Sequence, residues 1–155
     1  MLPKEELKKR RTTFWTGLET LMKPVRGVHG NKIDWLSYNS RVKDLYIRME
    51  FDAKGVRLCL DFQNGNEGIR ELFFDQFLEL KKVMQSSFSN ELTFIKSHRI
   101  ESSGISCLRV TSENQNLNFF HDEDSVIAQE FLQAQLVSLD EFWTEYSDIF
   151  IELVR

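Results

Sequence analysis

Between Leu45 and Phe62 the chain alternates. Apolar residues fall at Leu45, Ile47, Met49 and Phe51, with Tyr46, Arg48 and Glu50 between them. They recur at Val56, Leu58, Leu60 and Phe62, with Arg57, Cys59 and Asp61 between. A strand turns successive side chains to opposite faces, and Asp52-Ala53-Lys54-Gly55 supplies turn residues at the midpoint. The segment therefore predicts an antiparallel hairpin with one apolar and one polar face. Setting Phe51 opposite Val56 places Glu50 against Arg57, Arg48 against Cys59 and Tyr46 against Asp61, with Arg48 diagonal to Asp61. The polar face is then paired by its own opposite charges.

The pattern changes period on either side. Over 69–84 apolar residues recur at helical spacing, with Ile69, Leu72, Phe73, Gln76, Phe77, Leu80 and Met84 as an inner stripe that Phe74 and Leu78 widen. This predicts one helix starting near Asn66 or Glu67 and covering the apolar face of the hairpin. Residues 4–22 read as an earlier helix, with Leu7, Phe14, Leu18 and Leu21 on one face, stopped by Lys23-Pro24. A second hairpin is expected from 92–101 and 105–112 around Ser102-Ser103-Gly104. A short fifth strand through Phe119-Phe120 is the alternative to a purely four-stranded sheet.

Two helices are expected to close the chain, over 125–136 and from Ser138 onward. Asp122 or Asp124 would cap the first, and Ser138 with Glu141 has capping-box spacing for the second. Strands joined by short turns pair antiparallel. The order α-β-β-α-β-β-α-α therefore describes one α+β domain over 1–155: a four-stranded antiparallel sheet of two hairpins, with helices packed on one face.

Composition narrows the function classes. The chain has 155 residues, 41% hydrophobic and 28% charged, with a formal net charge of −4. That suits an ordinary globular domain and argues against binding nucleic acid or anionic membrane with the whole surface. Lys4, Lys8, Lys9, Arg10 and Arg11 make the N-terminus basic, but Glu5 and Glu6 interrupt the set and no apolar run follows. Neither a signal peptide nor a membrane span is expected, and the location implied is cytoplasmic. Cys59 and Cys107 lack paired metal-ligand spacing, so reduced thiols are expected.

Motifs for phosphate loops, nucleophile elbows, zinc and dinucleotides are lacking in the sequence, and His29, His98 and His121 are scattered. No catalytic residue, metal ligand or cofactor is expected. The pattern nearest to chemistry is an acid followed by Asp-x-Lys, as in Mg²⁺-dependent nucleases, where acids hold the metal and Lys polarises water. Asp44 with Asp52-Ala53-Lys54 has the letters, but Asp52 to Lys54 occupy the hairpin turn. Glu79-Leu80-Lys81 lies on a helix, and Asp61-Phe62-Gln63 puts Gln where Lys is needed. Two features remain. The connection over 25–43 is unusually long and carries Trp35 and Tyr38, which either plug the core edge or present aromatic faces. The polar sheet face offers Tyr46, Arg48, Arg57 and Arg109, with Lys96 or His98 as additions.

The runs Phe14-Trp15-Thr16, Asp34-Trp35 with Tyr38, and Val42-Lys43-Asp44-Leu45-Tyr46-Ile47-Arg48-Met49 resemble a family of bacterial domains of unknown function. So do the run from Ile69 to Lys81 and the closing Leu139-Asp140-Glu141-Phe142-Trp143. The similarity covers nearly the whole chain. Members look like stand-alone proteins or C-terminal modules behind nuclease-like regions, and the resemblance carries over no catalytic residue. Asp122-Glu123-Asp124-Ser125 departs from the family pattern before the last helix, where the resemblance implies acidic, aromatic-poor sequence, often with Trp-Pro. Two readings follow. The first is a non-enzymatic interaction module whose surface is Trp35, Tyr38, Tyr46, Arg48, Arg57 and Arg109, with a second copy or another protein as partner. The alternative is an accessory nucleic-acid-binding or nucleic-acid-processing protein linked to restriction or nuclease systems, with any metal chemistry at Asp44, Glu50, Asp52 or Asp61.

Overall fold

The computed structural model describes residues 2–155. It contains a four-stranded antiparallel sheet: β1 (Leu45–Asp52), β2 (Gly55–Phe62), β3 (Leu92–Arg99) and β4 (Ser106–Asn114), in the spatial order β1-β2-β4-β3. Helices α1 (Lys4–Met22), α2 (Glu67–Glu79), α3 (Lys81–Ser87) and α4 (Asp124–Leu153) pack on one face. The first hairpin has the expected register throughout, with Phe51 opposite Val56 and Tyr46 opposite Asp61. Gly55, at φ 141°, leaves the turn toward Asn114, where an added Cβ would strike the Asn114 carbonyl. No strand forms at Phe119-Phe120. That segment is a turn whose Phe119 N–H donates to the Asp52 carbonyl at 3.1 Å.

Two helical boundaries differ from the sequence pattern. The helix expected over 69–84 is broken at Leu80, whose ψ of 6° interrupts the spiral before Met84 N–H resumes it onto Leu80 O at 2.9 Å. Leu80 is neither Gly nor Pro, so the sequence does not mark this break. Phe73, Phe77 and Met84 are buried, whereas Leu72 and Leu78 turn to solvent and the inner stripe is narrower than expected. At the C-terminus the two expected helices are one helix of 30 residues. Val137-Ser138-Leu139 contains no helix breaker, and Leu132, Leu136, Leu139, Phe142 and Phe150 are all buried as the stripe continues in phase. Ser138 therefore caps nothing.

The core is an aromatic column between sheet and helices. Phe62 of β2 stacks on Phe73 of α2 with centroids 3.7 Å apart, and Phe73, Phe77 and Trp143 all pack around Phe150 of α4. Polar pins fix α4 within it. Ser112 Oγ donates to Gln135 Oε1 at 2.6 Å inside the core, and Gln129 Nε2 donates to the Phe14 carbonyl at 2.9 Å. A Cβ at Gly17 would meet the Gln129 amide, so a larger residue there would displace the side chain that pins α4 to the Phe14 carbonyl.

Residues 25–43 lie against α4 rather than looping free. Trp35 is buried, with its indole N–H on the Val25 carbonyl at 2.9 Å. Asp140, at one-turn spacing from Leu136 on the buried face of α4, accepts from the Val28 N–H at 2.9 Å, the Tyr38 hydroxyl at 2.6 Å and Thr144 Oγ1 at 3.2 Å. Trp143 Nε1 donates to Ser40 O, and Arg41, at φ 63°, donates to Ser147 Oγ. Replacing Asp140 by Ala leaves three partly buried donors, the Val28 N–H and the Tyr38 and Thr144 hydroxyls, without their shared acceptor. The variant is expected to lose about 2 kcal/mol in urea unfolding and to gain protease cuts within 25–43. Unchanged stability would contradict this anchoring role.

Candidate functional site

The face of the sheet opposite the helices is where the charged candidates meet. Alternation sends Tyr46, Arg48 and Glu50 of β1, Arg57, Cys59 and Asp61 of β2, and Cys107, Arg109, Thr111 and Glu113 of β4 to this side. The polar face that the alternation predicts is here, and its centre is buried: Asp61 is 0% exposed, Arg109 4% and Arg57 8%. No helix covers these residues. The stems of the arginines themselves form the roof, carrying apolar methylenes over the strands while the guanidinium groups meet acids.

The ion pairing is continuous across three strands. Asp61 accepts from Arg109 Nε at 2.8 Å and Nη2 at 2.9 Å, and from Arg48 Nη1 at 2.9 Å. Arg109 also reaches Glu50 at 3.2 Å, and Glu50 lies 3.5 Å from Arg57. Arg57 holds Asp52 at 2.8 Å and Glu113 at 3.1 Å. Arg48 completes its fork on Gln63 Oε1 at 2.7 Å and lies 5.0 Å over the Tyr46 ring. Bidentate forks of this kind are strong and directional. Burial disfavours the charged form of Arg109, but hydrogen bonds and charge from Asp61 and Glu50 more than offset it, so the guanidinium holds its proton more tightly than usual.

Above this network lies an open concavity of about 1000 Å³. Its rim is Ile95, His98, Arg99 and Ile100 at the end of the second hairpin, with Trp15 and Phe51 also lining it. His98 reaches this side because a bulge between Ile95 and His98 shifts the β3 register; Lys96 goes to the other side and pairs with Glu71 of α2 at 3.1 Å. Lys96 is thus removed from the surface on which the sequence had placed it as an option. The lining charges balance: Lys54, Arg57, Arg99 and Arg109 against Glu50, Asp52, Glu101 and Glu113.

The six expected surface residues fall in two places. Tyr46, Arg48, Arg57 and Arg109 share the open face. Trp35 and Tyr38 lie on the helical side, with Tyr38 lining a smaller hollow beside Arg41, Asp140 and Thr144. Burial first, then the neighbouring Asp140 carboxylate, raises the Tyr38 hydroxyl above its usual range, so it stays a donor. Sequence reasoning passed over Glu113 and Asp140. Glu113 shares strand parity with Arg109, and Asp140 is an acid within an apolar helical stripe; both signals were present.

The acids of the nuclease-like pattern do not converge. Asp44 and Asp52 sit at opposite ends of β1, about 26 Å apart at strand rise, while Asp52 is held by Arg57 and by the Lys54 N–H at 2.9 Å. Among the described residues no group of three or more His, Cys, Asp or Glu side chains is placed to hold a metal ion. None of the described helices is long and apolar enough to cross a membrane.

Fold and site together define an α+β module with a one-sided antiparallel sheet whose uncovered face is sealed by an arginine–carboxylate network. The chain belongs to the family described as Domain of unknown function (DUF4268), whose model matches residues 10–147. No curated protein and no solved structure matches it.

Two predictions follow from the network and its thiols. Asp61→Ala leaves Arg109 buried with only Glu50, and breaking a buried pair in this way costs about 3–5 kcal/mol; chemical unfolding measures it, and a loss below about 1 kcal/mol would mean the pairs are surface-like. Burial raises Cys59 from 9.0 to about 12 and Cys107 from 9.0 to about 11. Above pH 9.0 the unfolded chain releases these protons while the folded chain keeps them, so stability falls as pH rises through that window. The fall should be shallower in Cys59→Ala, and a thiol reagent should modify the native protein far more slowly than the unfolded one.

Proposed function

We propose that this chain is a non-enzymatic interaction module that recognises a protein partner with the open face of its sheet. The observation that carries the reading is the commitment of the three arginines on the strands. Arg48, Arg57 and Arg109, the cations that would grip phosphates, are each committed to acids of the same face, and the concavity above them is charge-balanced. A polyanion gains affinity by releasing counterions from uncompensated cations. A charge-balanced concavity with an aliphatic and aromatic rim instead suits a protein surface of mixed charge, where electrostatic pattern supplies specificity. Tyr46, the one aromatic ring exposed on the network, already has Arg48 on it, which leaves little for base stacking.

The alternative, an accessory nucleic-acid-processing role, makes the opposite prediction. Fluorescence anisotropy with short DNA and RNA, at low and moderate salt and with Mg²⁺, should show no salt-sensitive binding at moderate salt tighter than roughly 1 μM, the tight end of the range of about 10⁻⁴–10⁻⁶ M for non-specific contact. Capture from nuclease-treated lysate should retain a protein on the wild type that Ile95→Asp/His98→Glu loses, because both side chains line the concavity outside the ion network. Tight binding of an oligonucleotide, abolished by Arg48→Ala/Arg57→Ala, would replace this reading with the nucleic-acid one.

A further inference from the structure

The two edges of the sheet are built differently. On the β3 side the Leu92 N–H is taken by Gln85 Oε1 at 2.8 Å, the bulge between Ile95 and His98 breaks the ladder, and Lys96 stands beside it. Bulges and edge cations keep a strand from pairing with a stranger. β1 has neither. Its eight residues run in unbroken register with β2, and the segment contains no Pro, Gly or Lys.

The direction of its main-chain groups follows from its partners. Gln63 N–H donates to Asp44 O at 2.9 Å, and Asp52 faces Gly55 at the turn, so even-numbered residues direct N–H and C=O toward β2. Odd-numbered residues direct theirs outward. Leu45 is satisfied there, its N–H on Val42 O at 3.2 Å and its carbonyl under Ser40 Oγ at 2.7 Å. Ile47, Met49 and Phe51 find no main-chain hydrogen-bond partner among the described residues, and all three are partly exposed. They form a contiguous row of unpaired donors and acceptors.

We propose that this row pairs antiparallel with the same row of a second copy, centred on Met49, joining two four-stranded sheets into one of eight strands. The centre is chosen by hydrogen bonding and by charge. With Met49 opposite Met49, Ile47 faces Phe51 of the second copy and the reverse, so every unpaired group in the row finds a partner. The same register sets Arg48 opposite Glu50 in both directions and Tyr46 opposite Asp52. Centring on Arg48 or on Glu50 would bring like charges face to face, and centring on Ile47 would oppose Asp44 to Glu50. Opposed residues of an antiparallel pair share a face, so the two ion networks become neighbours across the joint and the concavities open on one side. The inference rests on reading the chain as an interaction module, but it uses the sheet edge and not the concavity.

Sedimentation equilibrium and residue-resolved amide exchange, from micromolar to millimolar protein, test it on the wild type. The expected result is a twofold mass, with the Ile47, Met49 and Phe51 amides protected about tenfold more at high concentration and Phe94, on the other edge, unchanged. Met49→Pro removes an N–H that β2 does not use and should give a folded monomer. A monomer at all concentrations, or a dimer in which those three amides exchange as before, overturns the proposal. So does protection of the row only when a foreign protein strand is added. If Met49→Pro fails to fold, wild-type exchange decides alone. Ile95→Asp/His98→Glu should remain dimeric, so failure of the edge and failure of the concavity are read separately.

Discussion

Burying the Asp61 carboxylate on a sheet face that no helix covers is the constraint from which the site follows. A lone charge removed from water costs far more than this domain can tolerate. It persists because Arg109 and Arg48 meet it from the neighbouring strands at 2.8 and 2.9 Å. Each arginine introduced to satisfy one acid must itself be balanced, which draws in Glu50, then Arg57, then Asp52 and Glu113. The chain of pairs ends where exposure rises at the hairpin tip and at Gln63. A face that would otherwise show bare β-strand to water thus gains a rigid polar cover made of its own side chains.

The helical side solves the same problem by other means. There the sheet meets aromatic rings and aliphatic side chains, and charge is admitted at one buried point, Asp140, whose hydrogen bonds come from a backbone N–H, Tyr38 and Thr144, with no cation among its donors. That carboxylate ties residues 25–43 to α4. Trp143, Ser147 and Trp35 add further ties, so the longest irregular stretch is fastened at several points along its length. The two sides divide the labour: one makes the core, the other makes a surface with fixed charge positions.

Much of this was legible along the chain. The alternation over 45–62 set the hairpin register and the Arg48–Asp61 diagonal, because strand period and turn position leave no other phase. What was hidden depended on distance in sequence. Glu113 and Arg109 meet β2 only once β4 lies beside it, and burial of Arg57 and Asp61 arises only when three strands supply the roof. The bulge that sends His98 to the concavity and Lys96 away from it has no marker residue. Local signals also misled where tertiary packing won: the capping-box spacing at Ser138 is overridden by a stripe that continues in phase, and the break at Leu80 comes without Gly or Pro. Trp35 and Tyr38 stood out as aromatics outside any periodic element, and their partner, Asp140, lies in a helix more than a hundred residues away.

The account stands on the network being formed and saturated in solution. Nitrogen-detected NMR of the arginine Nε–H groups measures this directly. Arg57 and Arg109 should give separate, slowly exchanging signals that stay in place as salt is raised through a Debye length of about 3 Å at 1 M. Signals that merge with those of exposed arginines, or that shift together with added salt, would mean that the cations of the open face are free and that its charge balance is not built in.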